Sequence, residues 1–125
     1  MYRNVSERIL REHLVSGDFK LGNEVAVRID QTLTQDATGI LAYMFLESVG
    51  IEKIKIKQSV SYVDHNTLQT DSLSSDSHLY LQTIASKLGV IFSKAGNGIC
   101  HSVHLERFAR PGWTLLGSDS HTPTA

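Results

Sequence analysis

Apolar residues recur at helical spacing in several stretches of the chain. Asn4 followed three residues later by Glu7 resembles a capping box, which predicts a helix from there to about Val15. A second helix is predicted to begin near Gln35 and to end at Gly50. Its expected core face is an apolar stripe spaced i, i+3, i+4, i+7 and i+8: Ala37, Ile40, Leu41, Met44 and Phe45. The same periodicity predicts a third helix from Ser74 or Ser75 to Leu88, with Leu81, Ile84, Ala85 and Leu88 on one face, and a fourth over residues 99–108.

Shorter apolar or alternating runs lie between these helices and predict strands. Residues 24–30 alternate, with Val25, Val27 and Ile29 on one face, and residues 59–63 are rich in β-branched and aromatic side chains. Further strands are predicted at residues 51–56, 90–92 and 114–116. Because strands and helices alternate, the pattern predicts an α/β fold in three layers, with a mostly parallel sheet between flanking helices. The 125 residues are expected to belong to one domain.

Polar or glycine-rich segments follow four of the predicted strands. They occupy residues 30–35, 64–66, 96–101 and 118–121. If the strands run parallel, these segments gather at one edge of the sheet, and ligands of α/β sheets bind beyond the carboxyl ends of the strands. The sequence therefore predicts a site at that edge.

The last of these segments belongs to the stretch GSDSHTPT, residues 117–124. It places Asp119, Ser120 and His121 side by side after an apolar run, and an anion, a hydroxyl and an imidazole in a row cannot all be buried in one apolar core. A solvated turn is the alternative for this stretch alone, since Asp, Ser, Thr and Pro are common in turns. The other three polar segments favour the site.

The side chains in these segments suit acid–base chemistry. Asp64 next to His65, together with His101, Asp119 and His121, supplies two carboxylates and three imidazoles. A carboxylate beside an imidazole holds its tautomer and raises its pKa, so that the imidazole is a usable general acid near neutral pH.

Other features favour a small anionic ligand at the same edge. Gly96-Asn97-Gly98 at a predicted helix start exposes backbone N–H groups that suit a carboxylate or phosphate, and Gln35 near another helix start is placed to donate to the same ligand. Ser120 lies between Asp119 and His121 in sequence, and such adjacency does not provide the relay of a nucleophilic triad. Asp36 is expected to be either a first-turn acid of the second helix or a catalytic group.

A metal site built on His65, His101 and His121 is an alternative. No two of these histidines lie at an i, i+4 or HxH spacing, so we expect no direct metal ligation by this chain. His13 and His78 are expected at exposed helix positions.

Composition narrows the function classes. The net charge is −1, from 12 basic and 13 acidic residues, and no basic patch stands out, which argues against nucleic-acid binding. No apolar run is long enough to span a membrane. The single cysteine, Cys100, cannot form an internal disulfide, and with no secretion signal in view we expect a cytoplasmic protein.

Four motifs in order carry a resemblance to a known family: DQTLTQDATG at residues 30–39, SYVDHNTLQT at 61–70, GNGICHSVHLERFARPG at 96–112 and GSDSHTPTA at 117–125. From about Asn4 to its last residue the chain resembles the aconitase family of hydro-lyases. The wording of the first and third motifs is most similar to the bacterial aconitate hydratase branch. Homoaconitase and the large subunit of 3-isopropylmalate dehydratase share the DSHT segment.

The resemblance implies reversible dehydration and rehydration of a tricarboxylic acid, citrate to isocitrate through cis-aconitate, with a [4Fe-4S] cluster acting as Lewis acid. By motif, Asp64 and His65 match the pair that protonates the leaving hydroxyl, and His101 and Asp119 match a second imidazole–carboxylate pair. The remaining matches are to groups that contact substrate or line its pocket: Gln35, Asp119, Ser120 and His121. His121 also matches a histidine that pairs with an acid further along the family's chain.

The chain also departs from the family pattern. Family enzymes are several times longer, and their cluster cysteines lie beyond the matched motifs. Cys100 is therefore expected to be a small packed thiol and not a cluster ligand. We expect residues 1–125 to be an N-terminal part of the first aconitase-type α/β domain, incomplete and inactive alone, completed by the remaining domains of the enzyme. The alternative is a non-catalytic or partner-dependent module of a split dehydratase, of the homoaconitase or isopropylmalate dehydratase type, working with a partner subunit.

Overall fold

The computed structural model describes residues 4–125; residues 1–3 of the predicted domain lie outside the described residues. Helices and strands alternate along this part of the chain, as predicted. In chain order the elements are α1 (Val5–Glu12), β1 (Leu14–Ser16), β2 (Ala26–Val27), β3 (Gln31–Gln35), α2 (Gly39–Ser48), β4 (Gln58–Tyr62), α3 (Ser72–Leu88), β5 (Ile91–Ser93), α4 (Cys100–Arg107), β6 (Leu115–Gly117) and a 3₁₀ turn at Thr122–Thr124.

Within residues 4–125, four parallel strands form the main sheet, in the order β5-β4-β3-β6. From β3 the chain moves outward through β4 to β5, and it then returns to place β6 on the other side of β3. The strand order therefore reverses between β3 and β6. In open α/β sheets such a reversal leaves a crevice at the carboxyl ends of the two strands, where ligands bind.

Helices cover both faces of this sheet, which confirms the three-layer α/β prediction. On one face α2 and α3 build a core around Tyr43, Leu81 and Ile84. On the other face α4 packs on Leu33 and Val60 through Cys100 and its neighbours. The predicted core face of the third helix is confirmed, since four of its residues are buried: Leu81, Ile84, Ala85 and Leu88.

The central strand β3 is where the sequence prediction was wrong. Residues 24–30 were predicted as the strand, yet only Ala26–Val27 pair, antiparallel with β1, and the predicted first helix ends at Glu12 before β1 begins. The strand at the centre of the sheet is the polar run Gln31–Gln35 that was predicted to follow it. Its polar side chains find partners inside the fold: Gln31 Nε2 donates to Gln58 Oε1 at 2.8 Å and to the Phe108 carbonyl at 2.7 Å. A strand with internally bonded polar residues has no apolar alternation to detect.

The prediction for α2 also needs correction. The helix begins at Gly39, not near Gln35, and most of its predicted core stripe faces away from the core. Leu41, Met44 and Phe45 are 74%, 55% and 66% exposed. The buried face instead carries Gly39 and Tyr43, because Tyr43 Oη bonds Thr34 Oγ1 at 2.8 Å and this hydrogen bond lets the phenol enter the core. Residues 51–56, predicted as a strand, form none.

At the amino ends of the strands, a buried carboxylate joins several elements. Asp30 is fully buried, and its oxygens lie 2.6 Å from His13 Nε2 and 2.9 Å from Lys57 Nζ. The backbone N–H of Thr114 donates to the same carboxylate at 3.2 Å. His13, expected to be exposed, is therefore buried at 6% exposure because it is the partner of Asp30. None of the helices in residues 4–125 is long and apolar enough to cross a membrane.

Candidate active site at the carboxyl edge of the sheet

Strand register brings the predicted site segments to one edge. Gln35 of β3 lies opposite Tyr62 of β4, and Tyr62 lies opposite Ser93 of β5. On the other side of β3, Leu33 lies opposite Gly117 of β6. The segments that leave these strands begin at the same edge, which agrees with the predicted gathering of polar clusters.

Asp36, the residue after β3, clamps the loop that follows β4. Its side chain is 2% exposed and accepts the backbone N–H groups of Asp64, His65 and Asn66 at 2.9, 3.0 and 2.7 Å. Burial acts to raise the pKa of Asp36, but these hydrogen bonds outweigh it and lower the pKa. The ionised carboxylate therefore fixes the backbone that carries His65.

Asp64 holds a helix terminus with one oxygen and an imidazole with the other. Its Oδ2 accepts the N–H of Cys100, the first residue of α4, at 2.7 Å. Its Oδ1 lies 2.9 Å from Nδ1 of His65, a side chain that is 46% exposed. The hydrogen bond to Asp64 raises the pKa of His65, against the effect of burial, and the charges of Asp36 and Asp119 add to the rise. His65 is thus a solvent-accessible imidazole biased toward its protonated form.

The pH titration of His65 tests this arrangement. A pKa that is raised in the fold means that the Asp64–His65 contact stabilises the protein fully below the unfolded pKa of about 6.5, and that this contribution is lost as pH rises through the folded pKa. Histidine-selective NMR should give a midpoint for His65 above that of a free imidazole. Asp64→Asn should lower this midpoint, and Thr67→Ala, an exposed change in the same loop, should leave it in place. If Asp64→Asn left the titration midpoint of His65 unchanged, the result would contradict the Asp64–His65 pairing.

The second imidazole–carboxylate pair joins α4 to the segment after β6. His101 Nε2 lies 3.0 Å from Asp119 Oδ2, and the two side chains are 14% and 8% exposed. Thr122 Oγ1 donates to Asp119 Oδ1 at 2.9 Å. Burial acts to raise the pKa of Asp119, but the hydrogen bonds from Thr122 and His101 and the charge of His101 lower it overall. The ionised Asp119 therefore orients His101.

Ser120 and His121 lie on the exposed side of the same turn. His121 Nδ1 is 3.3 Å from Ser120 Oγ, and its ring centroid is 6.2 Å from that of His101. Gly117 allows this turn to fold back on itself, because a Cβ there would lie 1.9 Å from Thr122 Oγ1. The structure brings His65, His101 and His121 to one edge with the two carboxylates Asp64 and Asp119.

Gln35 and the loop Gly96-Asn97-Gly98 were expected to bind an anionic ligand, but their region of the edge makes hydrogen bonds within the protein. The Gln35 side chain is buried, and its Oε1 accepts the N–H groups of Ala37 and Thr38 ahead of α2. At the start of α4, after Gly98, the anion bound by the backbone is the Asp64 carboxylate of the protein itself. The helix terminus thus stabilises the carboxylate that pairs with His65.

One group of ligand-type atoms lies close enough together for a cation: Asp36, Asp64 and His65 fall within 4.8 Å of one another. The lone pairs of the two carboxylates already accept four backbone N–H groups and face the His65 imidazole. This geometry supports a structural role for Asp36 and Asp64, which hold backbone segments at the sheet edge, over a role as cation ligands.

Cys100 is fully buried, and burial together with its hydrogen bond to Asp64 raises the pKa of its thiol to about 12. Its chemistry is therefore that of a packed thiol.

A groove of about 880 Å³ lies away from these groups, on the face of the sheet that carries α2. It runs between α2, residues 50–56 and β6, and its lining is mainly apolar, with Phe45, Ile51 and Leu116 among its residues. None of the paired imidazoles or carboxylates lines it. Size alone would favour the groove as a ligand site, but the acid–base chemistry lies at the sheet edge, and we place the candidate active site there.

A family model described as the aconitase family (aconitate hydratase) matches residues 7–125. The chain belongs to the aconitase family. It is 32% identical over 125 residues to the 3-isopropylmalate dehydratase large subunit 1 of Thermotoga maritima, covering 100% of this chain and 30% of that protein. It is 34% identical over 124 residues to the 3-isopropylmalate dehydratase large subunit 2 of Archaeoglobus fulgidus, covering 99% and 30%. It is also 34% identical over 133 residues to a probable mitochondrial aconitate hydratase of Caenorhabditis elegans, covering 95% and 17%.

These relatives bear the names of hydro-lyases, in agreement with the resemblance seen in the motifs. The chain spans 30% of the length of the two dehydratase subunits and 17% of the length of the hydratase.

Sequence reasoning missed two contributors to this edge of the aconitase-family chain. Asp36 is neither a first-turn acid of α2, which begins at Gly39, nor exposed to a ligand, because its carboxylate binds three backbone N–H groups. His104 is fully buried and bonds Tyr62 across the α4–sheet interface. The signal for His104 was its position, three residues after His101 on the same predicted helix.

Proposed function

We propose that this chain forms an N-terminal part of a hydro-lyase that interconverts citrate and isocitrate through cis-aconitate. The observation that carries the proposal is the convergence of two hydrogen-bonded imidazole–carboxylate pairs, Asp64–His65 and His101–Asp119, at the carboxyl edge of one parallel sheet. Dehydration of a hydroxy acid needs a base that removes the proton on the neighbouring carbon, a proton for the leaving hydroxyl, and cations or donors for the carboxylates. The proton donor and the carboxylate donors are assigned to this edge, and the base would come from outside these residues.

His65 is the proposed general acid. Its imidazole is accessible, its pKa is raised by the Asp64 hydrogen bond, and its backbone is fixed by Asp36. A protonated imidazole at this position can transfer its Nε2 proton to a departing hydroxyl, while Asp64 stabilises the positive charge before transfer.

The proposed substrate contacts are His101, Ser120 and His121, together with Gln35. The His101 imidazole is oriented by Asp119 through Nε2, which leaves Nδ1, a buried atom with no hydrogen-bond partner among residues 4–125, as its group for a ligand. Its ring lies 6.2 Å from that of His121. The Ser120 hydroxyl beside His121 supplies a further donor. Gln35 uses Oε1 for the backbone ahead of α2, and its assignment as a substrate contact therefore falls on the Nε2 amide group.

A [4Fe-4S] cluster is the cofactor that the family resemblance implies for the complete enzyme. The residues of this chain do not fit it as ligands, because a cluster of this kind is held by cysteine thiolates and the single cysteine, Cys100, is buried with a raised pKa. Cluster cysteines would come from outside these residues. The cytoplasmic location remains a prediction.

The substrate assignment is tested by turnover in a polypeptide that contains this chain together with the length found in its relatives. Citrate or isocitrate should give cis-aconitate, followed by the absorbance of its conjugated double bond, and 2-isopropylmalate should be a poor substrate. Turnover of 2-isopropylmalate alone would reject the tricarboxylate assignment. Absence of turnover with every hydroxy acid offered would reject the hydro-lyase proposal.

A second candidate is a partner-dependent module of a split dehydratase. It is favoured by the two relatives that are named large subunits and match this chain at 32% and 34% identity. The exposed apolar residues Leu41, Met44 and Phe45 instead form a surface of the kind that the rest of a longer chain would cover. Size-exclusion chromatography separates the candidates: a module should remain monomeric until its partner is added, whereas a part of a longer chain should self-associate through that surface. The part-of-a-longer-chain proposal fails if the isolated chain is monomeric and gains turnover only with a separate subunit.

A further inference from the structure

A buried tyrosine–histidine pair lies directly behind the candidate active site. Tyr62 and His104 are 1% and 0% exposed. The phenol Oη of Tyr62 lies 3.0 Å from Nδ1 of His104, and the two rings meet edge to face with centroids 6.1 Å apart. No role for either residue follows from the acid–base assignments above.

The two residues connect the elements that carry the two imidazole–carboxylate pairs. Tyr62 ends β4 and stands two residues before Asp64. His104 lies on α4, three residues after His101, and so one helical turn further along the same side. The start of α4 is already attached to the end of β4, since the Cys100 N–H donates to Asp64. The Tyr62–His104 hydrogen bond is a second attachment, and two attachments along the axis fix the orientation of a helix where one does not.

The hydrogen bond joins two uncharged groups. Burial, and then the charge of His101, lower the pKa of His104. Burial raises the pKa of Tyr62, and the negative charges of Cys100 and Asp64 would raise it further, so the phenol keeps its proton. Nε2 of His104 has no hydrogen-bond partner among residues 4–125, so Tyr62 is the hydrogen bond that fixes the imidazole. Phe108 is the other ring against it, with centroids 5.6 Å apart.

We propose that Tyr62 and His104 are a positioning pair that sets the distance and angle between the Asp64–His65 pair and the His101–Asp119 pair. Neither residue touches the substrate in this proposal. The catalytic consequence rests on the proposed function, because misplacement of one of two cooperating groups lowers the rate of the chemical step more than it weakens binding. The structural consequence, an α4 anchored to β4, stands apart from any activity.

Tyr62→Phe removes the phenol oxygen and little else, and the chain offers a matched control. Tyr43 is 2% exposed on the opposite face of the sheet, and its Oη bonds Thr34 Oγ1 at 2.8 Å. Tyr43→Phe therefore deletes the buried phenol's hydrogen bonding to Thr34 and to Ser61 of β4, on the face of the sheet away from α4, and leaves the Tyr62–His104 bond in place. Comparable losses of stability are expected in the two variants, so a difference between them reports position and not stability.

Two readouts test the pair. Amide hydrogen exchange at Cys100 should be faster by about tenfold in Tyr62→Phe than in Tyr43→Phe, because α4 then retains only one of its two attachments to the end of β4. In the hydro-lyase assay, Tyr62→Phe should lower kcat by about tenfold with KM changed less than about twofold, and Tyr43→Phe should change neither by more than about twofold. His104→Leu should reproduce the loss, and Tyr62→Phe/His104→Leu should be no worse than His104→Leu alone, since both changes delete the same hydrogen bond.

The outcomes separate this proposal from the proposed function. Equal exchange at Cys100 in the two tyrosine variants would overturn the positioning pair, whatever the activity. Faster exchange in Tyr62→Phe with no turnover from the wild-type protein would reject the hydro-lyase function and retain the anchoring. Faster exchange with an unchanged kcat would show that the anchor exists and does not position the catalytic groups, which overturns the proposal.

Discussion

His65→Asn is expected to lower the turnover of the hydro-lyase by about 100-fold or more while leaving the fold intact. General acid catalysis by a positioned side chain contributes about 10²–10⁴-fold, and Asn has no proton to give to a leaving hydroxyl. The fold should survive because His65 is 46% exposed and its backbone N–H, not its ring, is the group bound by Asp36. KM should change little, since the substrate contacts are assigned to His101, Ser120 and His121.

The measurement is the rate of cis-aconitate formation, with circular dichroism and thermal melting as checks on the fold. Thr67→Ala, in the same exposed loop, is the matched control and should keep wild-type turnover. A His65→Asn enzyme with wild-type kcat would reject the general-acid role. A variant that loses both turnover and its melting transition would show that the ring is needed for folding, and would likewise reject the assignment.

Asp30→Asn is expected to destabilise the fold by about 3 kcal/mol at neutral pH, because the buried carboxylate accepts several hydrogen bonds, each worth about 1.5–3 kcal/mol when a charged group takes part, and Asn cannot replace them all. Asp30 is fully buried and is contacted by His13, Lys57 and the Thr114 N–H. It thereby ties the N-terminal segment, the start of β4 and the start of β6 together. Asn can accept one of these hydrogen bonds but brings no charge to Lys57.

Urea unfolding at two pH values checks both the size and the sign of this effect. Burial acts to raise the pKa of Asp30, but hydrogen bonds from Lys57, Thr114 and His13 outweigh it and lower the pKa below that of an unfolded aspartate. A lowered pKa contributes stability that is present above about pH 4 and is lost as pH falls toward the folded pKa.

The difference in the free energy of unfolding between wild type and Asp30→Asn should therefore become smaller at acidic pH. Asp18→Asn serves as the control, since the Asp18–Lys20 pair is exposed and should contribute less than about 1 kcal/mol. A gap that widens as pH falls, or one no larger than that of Asp18→Asn, would contradict the assignment.

The parts of the fold that follow from apolar periodicity were predictable. The helix α3 ends at Leu88 with Gly89 in the left-handed conformation, and α4 runs over Cys100–Arg107 inside the predicted 99–108. Strands β4, β5 and β6 lie within one residue of their predicted bounds. In α3 and β4 the pattern of the sequence and the pattern of burial largely coincide, since Leu81, Ile84 and Val60 are buried.

Two parts of the structure were not predictable from apolar periodicity. The strand β3 buries Gln31 and Gln35. The Gln31 amide bonds Gln58 and Phe108, which are far away in sequence, and such long-range bonds leave no local signal. The apolar stripe of α2 led to a wrong prediction of the buried face of that helix, because Leu41, Met44 and Phe45 are exposed. A stripe shows that a helix has an apolar face without showing what covers it.

The candidate site was likewise predictable from the sequence only in part. Adjacency in the chain indicated the Asp64–His65 pair, and the alternating order of strands and helices placed His101 and His121 at the same edge. The His101–Asp119 hydrogen bond, which joins residues 18 positions apart, depends on the return of the chain from β5 to β6. The role of Asp36 depends on backbone groups, which every residue has and no sequence pattern distinguishes.

That role of Asp36 separates the shape of the loop after β4 from the side chains the loop carries. Asp36 holds positions 65 and 66 through their backbone N–H groups, so these two hydrogen bonds are open to any residue other than proline. A scaffold of this kind can exchange its reactive groups one at a time while the loop stays in place. In protein engineering, positions 65 and 66 could therefore be substituted to place new acid, base or binding groups beside His101 without redesign of the sheet.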